Sequence, residues 1–132
     1  MKKFFFAAED DEMMCSLYQL AFEIAGCEIE IAHDGEEALA RLGAMEKKPT
    51  VVILDIMMPK KNGFDVLKAM KEDSTLKKIP VIMLTNLAGE ENFEKGMSLG
   101  AAGYIIKSDY DPDKIVERVL TIANEYENGE LV

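Results

Sequence analysis

Val51-Val52-Ile53-Leu54 is a continuous apolar run that stops at a charge, Asp55, and runs into a loop carrying Pro59 and Gly63. An apolar run without alternation, bounded by turn-forming residues, reads as a strand covered on both faces, the situation of a parallel sheet. Three further runs repeat the plan. Phe4-Phe5-Phe6-Ala7-Ala8 ends in Glu9-Asp10-Asp11-Glu12, Val81-Ile82-Met83-Leu84 ends in Thr85, and Tyr104-Ile105-Ile106 ends in Lys107. Stretches with helical signals separate them. Alternation of strand and helix requires parallel strands joined by right-handed crossovers, so all carboxyl ends lie on one edge, and ligands of such open sheets bind there. The sequence therefore predicts an α/β chain with a doubly wound parallel sheet on which Glu9, Asp10, Asp55, Thr85 and Lys107 converge.

The first strand is expected over Lys3 to Ala8. A first helix follows, with Met14, Leu17, Leu20, Ala21 and Ile24 recurring at helical spacing and Gly26 as its C-terminal stop. Cys27 to Ala32 alternates apolar and charged residues at period two, which marks an edge strand. Asp34 with Glu37 three residues on gives a second helix a start resembling a capping box, and Lys47-Lys48-Pro49 ends it. Phe64, Val66, Leu67 and Met70 give a third helix, and Glu91 to Leu99 a fourth that ends at Gly100. Asp111-Pro112 supplies an N-cap and a first-turn proline for a fifth, whose Ile115, Val119, Leu120, Ile122 and Ala123 pack on the sheet. The tail Asn128 to Val132 is expected to fray.

A chain of 132 residues is expected to form one domain, spanning 1–132. Its formal net charge of −10 argues against direct nucleic-acid binding and against an anionic membrane, since both require a basic surface. The opening Met1-Lys2-Lys3 and its apolar run are too short for a secretory signal, and no stretch is long and apolar enough to span a bilayer. Cys15 and Cys27 have neither metal-like nor redox-pair spacing, which points to reduced thiols in a cytoplasmic protein. His33 is the only histidine, so a histidine metal site or a catalytic triad is not expected.

Three carboxylates converging at Glu9, Asp10 and Asp55 repel one another unless a hard divalent cation neutralises them. Oxygen ligands favour Mg²⁺, which retains waters and bridges to phosphate oxygens. In that setting Asp55 is the natural nucleophile toward phosphorus, Lys107 supplies positive charge to the phosphoryl oxygens, and Thr85 offers a hydroxyl to one of them.

Those residues carry a resemblance. Ala8-Glu9-Asp10-Asp11, Leu54-Asp55-Ile56-Met57-Met58-Pro59 with Gly63, Leu84-Thr85 and Gly103-Tyr104-Ile105-Ile106-Lys107 resemble the receiver domain of two-component response regulators over nearly the whole chain. The resemblance implies a flavodoxin-like sheet of five strands in order 2-1-3-4-5 with five helices. Asp55 is then the phosphoacceptor, Glu9, Asp10, Asp55 and the backbone carbonyl of Met57 hold Mg²⁺, Thr85 and Tyr104 form the switch, and Lys107 pairs with the phosphoryl group. The implied donor is a phosphohistidine of a sensor histidine kinase or histidine phosphotransfer protein. The implied output is a downstream protein target or a homodimer, through the face of the fourth helix, fifth strand and fifth helix, with Lys95, Tyr104 and Lys114 on it. The implied role is a phosphoacceptor signalling domain, catalysing only its own phosphorylation and dephosphorylation.

Two positions depart from the family. Asn86 stands where Ala or Gly is usual after the Thr, and is expected to crowd the phosphoryl pocket. Ser108 stands where Pro is usual after the Lys, so that peptide bond is either trans with a rearranged loop or a strained cis bond. The competing classes are weaker. A phosphohydrolase with an aspartyl nucleophile calls for a second acid/base carboxylate shortly after it, but position 57 is Met, and Glu9-Asp10-Asp11-Glu12 would repel a flavin phosphate. A pseudo-receiver that binds partners without phosphorylation draws support only from Asn86 and Ser108.

Overall fold

In a computed structural model the described residues are 3–127. They run β1 Phe4–Ala8, α1 Glu12–Ile24, β2 Glu28–Ala32, α2 Gly35–Ala44, β3 Val51–Leu54, α3 Gly63–Glu72, β4 Val81–Thr85, α4 Glu90–Ser98, β5 Gly103–Ile106 and α5 Pro112–Glu127, with short 3-10 turns at Leu76–Lys78 and Lys107–Asp109. The strands form one sheet in the order β2-β1-β3-β4-β5. Every neighbouring pair is parallel. The expected flavodoxin-like topology is the one observed, and the proposed tail Asn128 to Val132 lies outside the described residues.

Strand side chains point alternately to the two faces, so the sheet divides the apolar residues into two cores. Phe5, Ala7, Ile53, Ile82, Leu84 and Ile105 meet Tyr18 and Phe22 of α1 and Ile115, Val119 and Ile122 of α5 on one face. Phe6, Ala8, Val52, Leu54, Val81 and Met83 meet Ala38 and Leu42 of α2 and Val66, Leu67 and Met70 of α3 on the other. β1, β3 and β4 are buried throughout. β2 is exposed at its first residues, as its alternating sequence predicts for an edge.

The structure selects the buried face of α1, which helical spacing by itself leaves open. Met14 and Ala21 are half-buried, but Leu17, Leu20 and Ile24, placed with them by helical spacing, are 37, 57 and 78% exposed. The buried face is Cys15, Tyr18 and Phe22. Helix α1 is apolar on two faces, and the larger aromatic pair wins the sheet, with Phe22 and Phe5 ring centroids 5.2 Å apart. β2 also begins at Glu28 instead of Cys27, because the Cys27 N–H is spent on the Phe22 carbonyl at 2.9 Å, closing α1 over Gly26 in the left-handed region at φ 81°. Asp34 does cap α2, accepting from Glu37 N at 2.7 Å, but the full reciprocal box belongs to α3, between Asn62 and Asp65.

Candidate functional site

Each site residue is the first one past a strand or next to it. Asp55 N donates to Ala8 O at 3.1 Å, so the β1–β3 ladder carries its backbone one step beyond Leu54. Glu9 N likewise donates to Ala32 O at 2.9 Å. Asp11 then turns the chain into α1 by accepting from Met14 N at 3.1 Å, which leaves Asp10 exposed on the sheet edge beside them. On the far side of Asp55 the chain must double back into α3. The turn passes Lys60 at φ 69° and reaches Gly63, where a Cβ would stand 2.3 Å from the Asp55 carbonyl oxygen. Glycine is the residue that permits that approach.

Lys107 enters from β5 and completes the cluster. Its ammonium donates to Asp55 Oδ2 at 2.7 Å and to Glu9 Oε1. All three are nearly excluded from solvent, with side-chain exposures of 9% for Lys107, 2% for Glu9 and 8% for Asp55. The other Asp55 oxygen accepts from Met57 N at 3.3 Å. Burial pushes the Glu9 carboxyl above its ordinary value, against the hydrogen bonds from Lys107 and Asp11 that oppose it. Burial by itself would lower the Lys107 ammonium, but its hydrogen bonds to Asp55 and Glu9 outweigh that and hold it above its ordinary value. Two buried carboxylates thus share one ammonium, and Asp10 adds a third negative charge. A carboxylate oxygen from each of Glu9, Asp10 and Asp55 lies within 4.8 Å of the others, a donor set that suits a hard cation.

The structure brings Glu9, Asp10, Asp55 and Lys107 together as the sequence predicts, with the Met57 backbone beside them. Thr85 is fully buried at the end of β4, its Oγ1 accepting from Leu87 N at 3.2 Å. Tyr104 stands farther out. Its hydroxyl donates to Leu87 O at 2.5 Å, and its ring packs edge-on to Phe93 and under Gly96. Next to Asp10 an open cleft of about 540 Å³ is lined by Met57, Met58, Phe64, Leu87 and Lys95. Lys95 Nζ sits 4.6 Å over the Phe64 ring, so it belongs to this cleft. Lys114 pairs with Glu117 on the exposed face of α5.

Of the two departures, Ser108 follows the first of its two expected alternatives, and Asn86 does not crowd the pocket. The Lys107–Ser108 bond is trans, since the described residues hold no cis peptide, and a 3-10 turn replaces the loop. Asn86 turns toward that turn, its Oδ1 accepting from Ser108 N at 3.0 Å. It is exposed there and does not line the cleft beside Asp10. Cys15 and His33 stay outside the chemistry. The Cys15 thiol donates to Glu9 O at 3.3 Å, lies 3.8 Å from His33 Nδ1, and is pushed up to about 11 by burial, so it is not a thiolate at neutral pH. The sequence reading missed the Asn86–Ser108 bond and the steric role of Gly63. Neither leaves a local signal, for the first joins segments 22 residues apart and the second depends on how the loop after Asp55 folds back against it.

Residues 5–120 match the model of the response regulator receiver domain. The chain belongs to that family. The receiver is 35% identical over 129 residues to the alkaline phosphatase synthesis transcriptional regulatory protein PhoP of Bacillus subtilis, covering 96% of this chain and 51% of that protein. It therefore spans about half the length of the curated relatives it matches. Among solved structures, the chemotaxis response regulator CheY4 of Vibrio cholerae superposes with a TM-score of 0.83 at 30% identity, covering 92% of this chain and 99% of the other. The phosphorylated cyanobacterial phytochrome response regulator RcpA gives a TM-score of 0.81 at 31% identity, covering 95% and 94%. No helix among the described residues is long and apolar enough to cross a membrane.

Proposed function

We propose that this receiver takes a phosphoryl group onto Asp55 from the phosphohistidine of a sensor histidine kinase or a histidine phosphotransfer protein. The observation that carries the reading is the buried Lys107 ammonium bonded at once to Asp55 and Glu9, with Asp10 exposed beside them. An Asp55 oxygen forms the new O–P bond as the P–N bond of the phosphohistidine breaks, and the electron pair and a proton return to the imidazole. Glu9, Asp10, Asp55 and the Met57 carbonyl would hold Mg²⁺, which supplies charge neutralisation at the transferring phosphoryl oxygens. Lys107 is already within bonding distance of Asp55 and follows the phosphoryl oxygens, while Thr85 offers its hydroxyl from the neighbouring strand.

The output lies where Tyr104 meets α4. Its hydroxyl holds the Leu87 carbonyl two residues past Thr85, so a pull on Thr85 reaches the Tyr104 ring and, through it, Phe93, which is 46% exposed. A downstream protein or a second copy would read the α4–β5–α5 face. The acidic surface favours protein over nucleic acid, and the setting is cytoplasmic. The phosphorylated state named for RcpA at 31% identity supports the assignment. The test is incubation with acetyl phosphate and Mg²⁺, read by intact mass. The parent should gain one phosphoryl group and Asp55→Asn none. Equal gain by both would overturn the assignment.

A further inference from the structure

Lys107 has to be held against Asp55 by a loop that lacks the proline usual there, and Asn86 is the side chain that reaches that loop. Ser108 carries a backbone N–H that proline would lack. Being in the first turn of the 3-10 segment Lys107–Asp109, it has no partner within that turn, and no side chain of the segment itself caps it. The partner comes from the next strand. The β4–β5 ladder ends at the pair Thr85 and Ile106, and just beyond it Asn86 Oδ1, one residue on, accepts from Ser108 N, two residues on, at 3.0 Å. The side chain thus adds a rung to the ladder where the backbones part.

We propose that Asn86 and Ser108 are one matched device, in which Asn86 is a positioning residue that fixes the turn behind Lys107 and so aims its ammonium at Asp55. The bond attaches to the residue next to Thr85 at one end and to the residue next to Lys107 at the other. The segment 85–87 is then tied to the β5 side twice, through Asn86 to Ser108 and through the Leu87 carbonyl to Tyr104. A movement of Thr85 toward a phosphoryl group carries the Lys107 turn with it. Asn86 is exposed, makes no hydrogen bond to Asp55 and does not line the cleft beside Asp10, so its effect on Asp55 is exerted through the Lys107 turn. This extends the reading of Asp55 as phosphoacceptor and rests on it.

The test is a double-mutant cycle on the whole chain, with acetyl phosphate and Mg²⁺ as the probe and intact mass as the rate readout. Asn86→Ala should slow phosphorylation at saturating acetyl phosphate by roughly fivefold to tenfold, the scale of one net hydrogen bond, with little change in the half-saturating concentration. In a Lys107→Ala background the same substitution should have no further effect. Asn86→Asp, which keeps the acceptor, should restore most of the rate. In the unphosphorylated protein, Asn86→Ala should also speed exchange of the Ser108 amide. Slowing of equal size with and without Lys107 would overturn the proposal, as would a parent rate in Asn86→Ala. If instead Asp55→Asn gains the phosphoryl mass, the phosphoacceptor reading itself has failed, and the Ser108 amide still reports on the Asn86 bond independently.

Discussion

Tyr18 carries the one buried side-chain oxygen among the described residues that finds no hydrogen-bond partner. Its ring fills the space between α1 and the sheet, while its hydroxyl carries a desolvation cost with nothing in return, and burial pushes its pKa far up. Tyr18→Phe keeps the ring and removes that cost, so it should raise unfolding stability by about 1 kcal/mol. Urea denaturation measures it, and a loss of stability would show that the hydroxyl is satisfied. Asp34 shows the opposite behaviour. The Glu37 N–H first, with Lys60 nearby, holds its carboxyl below its ordinary 3.8. A depressed folded value contributes stability that is present above 3.8 and lost as the pH falls through the folded value. Asp34→Asn keeps the cap but cannot titrate, so its stability should fall less steeply than the parent's below about pH 4. Parallel acid-unfolding curves for the two proteins would refute this.

Helix α1 shows what a periodic pattern leaves open at the scale of an element. Two apolar stripes satisfy helical spacing, one through Tyr18 and Phe22 and one through Leu17, Leu20 and Ile24, and only the position of the sheet selects between them. Phe22→Ala should therefore cost about 3–5 kcal/mol, as expected for a buried aromatic against Phe5. Ile24→Ala, at 78% exposure, should stay within about 0.5 kcal/mol of the parent. Chemical denaturation of both variants decides it, and similar losses would place Ile24 in the core. The strands left no such ambiguity. A run buried on both faces has no stripe to choose, which is why β1, β3 and β4 were legible to within a residue.

For the whole molecule, the decisive quantity is negative charge gathered at one sheet edge in a chain whose formal net charge is −10. A divalent cation that binds only the folded arrangement should stabilise it, by about 2.7 kcal/mol at a hundred times its Kd. Millimolar Mg²⁺ should thus raise the Tm of the parent and raise that of Asp10→Ala much less, in thermal melts at matched ionic strength. Equal shifts would reduce the effect to general screening. The sequence by itself determined the alternation of strand and helix, the shared edge, and the placement of Glu9, Asp10, Asp55, Thr85 and Lys107 at the strand ends along it, because each follows from a local run and the residue that ends it. Only the tertiary structure decided which face of α1 is buried, that Lys107 bonds to both Glu9 and Asp55, that Gly63 must lack a side chain, and that Asn86 caps Ser108. Each of these joins groups that lie apart in sequence or depends on which packing surface wins, and such contacts exist only once the sheet has brought its strand ends together.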